Sequence, residues 1–246
     1  MSTQDDHEGL QIVHSKNADL HQTAVIIPCY NAGPRLRPVV EKTLTHTPWV
    51  TLIDDGSTDH AVENLADLNI QRLFLHPNQG KGVALITGFR ALLENPQVSQ
   101  IAVIDADGQH DPSELPNLIN ALKTNNADLV IGTRAFNLPQ VPFRSRFGNR
   151  LTATLTSILL GASIADTQSG YRLHSRTLVE AIVRDIPGGR YETEMEILIK
   201  AVREGYKITG VPIATVYEPG NASSHFHKIR DSWRIYSRLL RAATHR

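Results

Sequence analysis

The chain has 246 residues, and 25 Lys plus Arg balance 25 Asp plus Glu, so its formal net charge is zero. That balance argues against bulk electrostatic attraction to nucleic acid or membrane and confines any basic surface to a local patch. Hydrophobic residues make up 41%, enough for a substantial core, and the lone Cys29 excludes an internal disulfide and fits a reducing compartment.

Residues 1–22 are polar and acidic, without the apolar stretch of a signal peptide, and read as a flexible leader. "TAVIIPCYNAG" then predicts a strand ending at Pro28. "WVTLIDDGSTD" predicts a second strand closed by a turn, and "QRLFLHP" a third. Leu85, Ile86, Phe89, Leu92 and Leu93 share one helical face. "QIAVIDADG" and "ADLVIGTR" predict two more strands, with a helix between them carrying Leu115, Leu118, Ile119 and Leu122. The strand runs are continuously apolar, as in strands buried on both faces. Strand and helix in alternation predict an α/β class with a mostly parallel sheet flanked by helices. In such sheets ligands gather at the carboxyl ends of the strands. Pro28, Asp54, Asp55, Asp105, Asp107 and Arg134 all fall there.

Beyond Arg134 the pattern turns helical. "FRSRFGNRLTATLTSILLG" has apolar residues at helical spacing, but the run Leu151–Ala162 is too short to span a bilayer. "TLVEAIVRDI" and "YETEMEILIKAVREG" predict further helices, and "KITGVPIATVYE" a late strand. In the second of these helices Met195, Ile197, Leu198, Ile199, Ala201 and Val202 form the apolar arc, and Glu194 falls inside it. A carboxylate on a buried arc needs a partner or a function. Residues 226–246 predict a basic amphipathic helix, with Ile229, Trp233, Tyr236, Leu240 and Ala243 opposite Arg230, Arg234, Arg238 and Arg241. Such a helix either docks on its own domain or lies in a membrane interface. Arg144, Arg146 and Arg150 supply a second basic stretch.

The sharpest local signal is "VIDADGQHDP", where an apolar run stops on two acids one residue apart. If the chain stays extended, Asp105, Asp107 and Gln109 line one side. Two carboxylates this close raise each other's pKa, and a divalent cation removes the conflict. Carboxylate and amide oxygens suit Mg²⁺ or Mn²⁺ shared with substrate phosphates. The alternative is a solvated Asp-Gly turn.

"VIIPCYNAG", "LIDDGSTD", "NQGKGVALITGFR", "VIDADGQHDP", "IGTR" and "DTQSGYRL" occur in this order over roughly residues 23–225. Together they resemble family 2 glycosyltransferases of GT-A fold, and among them the dolichyl- or polyprenyl-phosphate sugar synthases. The resemblance implies an inverting, metal-dependent transfer of a sugar from a nucleoside diphosphate to a lipid-linked or other acceptor, at the cytoplasmic face of the membrane. It implies nucleotide contacts at Pro28, Tyr30, Ile53 and Asp55, with Asp54 structural. It assigns the cation to Asp105, Ala106 and Asp107, with Gln109 as a further ligand, and a donor contact to Arg134. Lys81 opens a predicted helix, where exposed N–H groups and the dipole also favour an anion. The resemblance places Asp166 near the reaction centre as general base or acceptor-positioning group, with an Asp-Thr turn cap as the structural alternative. It often puts an acid where Glu194 stands. Two features depart from the family pattern: Ala32 replaces a common acid, and Glu218 and His225 stand where basic loop residues are usual.

Two other functions compete. A sugar nucleotidyltransferase needs a glycine- and basic-rich loop after the first strand, and "PCYNAGPRL" does not supply one. A non-catalytic nucleotide-sugar or membrane-binding module tolerates loss of Asp107 or Asp166, and both are present.

Overall fold

The structure, a computed structural model, describes residues 19–134, 152–154, 156–158, 161, 164–214 and 237–238. Seven strands form one sheet: β1 Thr23–Cys29, β2 Trp49–Asp54, β3 Gln71–Phe74, β4 Gln100–Val103, β5 Leu129–Arg134, β6 Arg172–Ser175 and β7 Ile208–Ile213. The order is β3-β2-β1-β4-β6-β5-β7. All neighbouring pairs are parallel except those of β6, which runs antiparallel to both β4 and β5. Among the described residues, the helices resolved end to end on the two faces are α1 Leu36–Leu44, α2 Lys81–Leu93, α3 Leu115–Thr124, α4 Arg176–Asp185 and α5 Glu192–Arg203.

The alternation of side chains along each strand explains the continuous apolar runs. Ala24, Ile26, Ile53, Ile101, Val103 and Ile131 pack against Phe89 of α2, Ile182 of α4 and Leu198 of α5. The intervening Val25, Ile27, Leu52, Ala102 and Val130 pack against Val40 of α1 and Leu118 of α3. Both phases of the two-residue period therefore meet a helical layer, and a polar residue in either phase would be buried. β3 departs from that expectation. It is one of the two sheet edges, and Phe74 is 66% exposed there.

Two elements go beyond the sequence expectation. α1, "LRPVVEKTL", carries Pro38 in its first turn, where a missing N–H breaks no helical bond. β6, "RLHS", hides a strand behind an arginine and a histidine that are both buried. The last residues of the expected leader belong to the fold: residues 19–21 are helical, Leu20 joins the core, and Trp49 Nε1 donates to His21 O at 2.7 Å. The expected C-terminal helix lies outside the described residues apart from Ser237 and Arg238. Arg238 Nε pairs with Glu196 Oε1 of α5 at 2.9 Å. Arg144, Arg146, Arg150, Glu218 and His225 also lie outside the described residues.

Candidate functional site

β4 ends at Val103, and the chain turns at Ala106–Asp107 instead of staying extended. Gly108 has φ +76°, and the Gln109 amide donates to Asp107 Oδ1 at 3.0 Å. The expected straight line of Asp105, Asp107 and Gln109 is thus replaced by a tight turn, because an Asp-Gly pair favours closure over extension. Ala106 is buried in the core and offers its backbone only.

The two acids have different surroundings. Lys81 Nζ lies 2.6 Å from Asp105 Oδ1, and that positive charge holds the Asp105 carboxyl below the usual range against the pull of burial. Burial and then the charge of Asp105 push Asp107 up to about 6. Lys81 answers the repulsion on one acid and leaves the other short of positive charge. Among the described residues no group of three or more His, Cys, Asp or Glu is arranged to hold a metal. Two carboxylates of unequal proton affinity still suit a cation whose remaining ligands are diphosphate oxygens and water.

Lys81 is the first residue of α2, after Gly80 at φ +107°. Its Nζ also lies 3.2 Å from Glu194 Oε1. Glu194 does fall on the inward arc of α5, its side chain is 14% exposed, and Lys81 is the partner that such a position requires. The starts of α2 and α5 are pressed together. A Cβ on Gly82 would lie 2.0 Å from Thr193 Oγ1, and the Val83 amide donates to Gly189 O at 3.1 Å.

Arg134 closes β5 and faces Asp166. Nε donates to Oδ2 at 2.8 Å, Nη2 to Oδ1 at 3.0 Å, and the Arg134 amide to Oδ2 at 3.2 Å. The Gln168 amide adds a bond to Oδ1 at 3.1 Å. A carboxylate has about four acceptor positions, and these four donors fill them. The loop after Asp166 also shapes the acid turn: a Cβ on Gly170 would lie 2.1 Å from Asp105 Oδ2.

At the ends of β1 and β2 the geometry redistributes the expected contacts. Tyr30 is exposed, and Pro28 sits half-buried beside Ile53 in register. Ile53 is fully buried, and its Cδ1 packs at the spot where Gly88 lacks a Cβ. Its side chain is core, not ligand surface. Asp55, expected at the base, is buried and accepts from the Gln79 and Gly80 amides at 2.7 and 2.8 Å and from Asn78 Nδ2 at 2.9 Å. It anchors the loop that leads into Lys81. Asp54, expected to be structural, caps the Ser57 amide at 2.9 Å and lines a cavity of about 340 Å³ with Ser57, His60, Arg72 and Phe74.

The sequence reading passed over three residues of this region. His110 is buried beside the Tyr171 ring, its Nδ1 lacks a hydrogen-bond partner, and burial lowers its pKa to about 4. Gly170 stood in a quoted motif, but only the folded chain shows why it lacks a side chain. Arg172 is buried, and its guanidinium donates to Ser169 O at 2.8 Å, Thr167 O at 2.8 Å and Glu194 O at 2.9 Å. It ties the Asp166 loop to the start of α5.

A family model described as glycosyl transferase family 2 matches residues 24–183. The UDP-N-acetylglucosamine–dolichyl-phosphate N-acetylglucosaminyltransferase of Methanococcus voltae is 30% identical, over 88% of this chain and 94% of its own. The polyprenol monophosphomannose synthase of Mycolicibacterium smegmatis is 30% identical over 90% of each. Among solved structures, glucosyl-3-phosphoglycerate synthase from Mycobacterium tuberculosis, in complex with Mn²⁺, uridine diphosphate and glucosyl-3-phosphoglycerate, superposes with a TM-score of 0.73. At 16% identity, covering 94% of this chain and 84% of that one, that likeness concerns the fold. The mixed, mostly parallel sheet is the GT-A-type architecture that the motifs implied.

Proposed function

The chain belongs to glycosyl transferase family 2 and is a glycosyltransferase, and on that premise we propose that it transfers a sugar, with inversion, from a nucleoside diphosphate to a polyprenyl phosphate. Asp105 and Asp107 would hold Mg²⁺ or Mn²⁺, with Gln109 as a further candidate ligand. When bound, the cation neutralises charge developing on the leaving nucleoside diphosphate. Lys81 stands at the start of α2, where a helix N-terminus and an ammonium favour a phosphate group. Pro28 and Tyr30 flank the nucleotide at the end of β1, and Asp55 fixes the Asn78–Gly80 loop from below.

One observation carries the choice of acceptor: the Asp166 carboxylate is filled by Arg134 and Gln168. A carboxylate so occupied is a poor general base, and His110 is held neutral with a low proton affinity. A hydroxyl acceptor needs a base, whereas a phosphate arrives already ionised. Asp166 then acts by holding Arg134 in place for an anion. The dolichyl phosphate in the name of the Methanococcus voltae relative is of this kind.

Among the described residues no helix is long and apolar enough to cross a membrane. The proposed contact with a lipid acceptor is at the cytoplasmic membrane surface, with the basic residues of 226–246 as candidates for the approach.

The test is a panel of nucleoside diphosphate sugars with Mg²⁺ or Mn²⁺, offered a polyprenyl phosphate and the matching polyprenol. Transfer to the phosphate alone, with inverted anomeric configuration by NMR, is expected. Transfer to the alcohol at equal rate would overturn the acceptor assignment.

A further inference from the structure

The proposed reading gives Asp105 to a divalent cation and Lys81 to a phosphate, yet in the fold these two residues hold each other at 2.6 Å. The same ammonium lies 3.2 Å from Glu194 Oε1, so it is shared unequally between two carboxylates. Asp105 has little freedom to offer a different oxygen, because Gly170 packs so closely on Oδ2 that even a methyl group would not fit. Lys81 occupies the other oxygen, Oδ1, at 2.6 Å. Two cations cannot share it without strong repulsion in a part-buried setting. Lysine is the partner able to yield, since its ammonium rides on a flexible four-carbon stem. Glu194 is a fixed post: Arg172 holds its carbonyl at 2.9 Å, and its side chain is mostly buried.

We propose that Lys81 competes with the divalent cation for Asp105, and that Glu194 is the alternative seat that receives Lys81 when the cation wins. This inference rests on the donor-site reading above and deepens it. Glu194 is on this account a positioning residue that acts through Lys81, not a group that touches substrate. The arrangement couples the two ligands, because a diphosphate that draws Lys81 away from Asp105 makes room for the metal. Metal and nucleotide therefore bind cooperatively.

The experiment titrates Mn²⁺ into the full chain and reads free aquo-Mn²⁺ by EPR, first without nucleotide. Lys81→Met is expected to tighten Mn²⁺ binding about ten-fold, the scale of one charge-assisted hydrogen bond. Glu194→Gln, which leaves Lys81 only Asp105, is expected to weaken it several-fold. The double variant is expected to match Lys81→Met, because the effect of Glu194 passes through Lys81. Lys81→Gln repeats the first measurement with a different neutral side chain, and melting curves confirm that each variant is folded. Unchanged or weaker binding in both neutral variants overturns the proposal, as does an equal loss from Glu194→Gln in both backgrounds. The titration is then repeated with UDP and with GDP. If neither tightens Mn²⁺ binding to the wild type, the donor-site reading itself falls. If one does while the Lys81 variants leave nucleotide-free binding unchanged, only the competition falls.

Discussion

β1, β2 and β4 carry no charged side chain before their final residue, whereas β6 opens on a buried arginine and contains a buried histidine within four residues. The first three strands deliver polar groups to the site by ending there. β6 builds polar groups into the sheet and satisfies most of them internally, His174 Nε2 being buried without a partner. His174 Nδ1 lies 3.2 Å from Ile101 O, and its ring meets Phe89 edge-on. Arg172 finds three backbone carbonyls. Substitutions on the donor side should therefore cost chemistry with little loss of stability, and substitutions around β6 should cost stability first.

The largest expected effect is on the donor side. Asp107→Ala should lower turnover by about a thousand-fold or more, the scale of losing a main electrostatic stabiliser, with an unchanged melting temperature. Turnover retained in that variant would remove Asp107 from the cation site. Arg172→Leu reverses the pattern. It takes the guanidinium away from the Ser169, Thr167 and Glu194 carbonyls and should destabilise the chain by about 3–5 kcal/mol, read from urea unfolding. A loss confined to kcat would break the contrast between the two regions.

Acid comes next. His110 and His174 are held below the ordinary imidazole range, at about 4 and about 3, in both cases mainly by burial. The unfolded chain protonates them first, so their contribution is complete above about pH 6.5 and declines as pH falls toward those values. At pH 4 the loss is on the order of 3 kcal/mol for each group, an upper scale. Melting temperature should fall steadily below pH 6.5, and His174→Phe should flatten that slope. The smallest effect belongs to Glu196→Gln. Breaking its half-buried pair with Arg238 should cost under about 1 kcal/mol.

The same contrast explains what the sequence disclosed. Continuous apolar strings with acids at their ends marked β1, β2, β4 and β5, and with them Asp105, Asp107 and Arg134. Glu194 was legible because it broke a helical arc. β6 stayed hidden because a reader assigns Arg172 and His174 to the surface, and only the folded chain supplies their partners. α1 stayed hidden because Pro38 reads as a breaker until the helix start is known. The unequal roles of Asp54 and Asp55 could not be read from adjacent, identical letters. The loop that Asp55 holds lies more than twenty residues away.

The reversal of β6 has a consequence for how the two substrate halves can diversify. Parallel strands bring only outgoing chain to the rim where the acids lie. β6 brings incoming chain to that rim: Arg172, its first residue, pairs with Val103 of β4 and Ile131 of β5. The chain from Arg134 to Arg172 thus leaves and re-enters the sheet on adjacent strands, whose axes lie about 5 Å apart where Ile131 faces Arg172. Lengthening such a closed excursion costs only a slowly growing loop entropy. Natural variation or an engineer can therefore change the length of chain between those two arginines while β1, β2 and β4 keep their register.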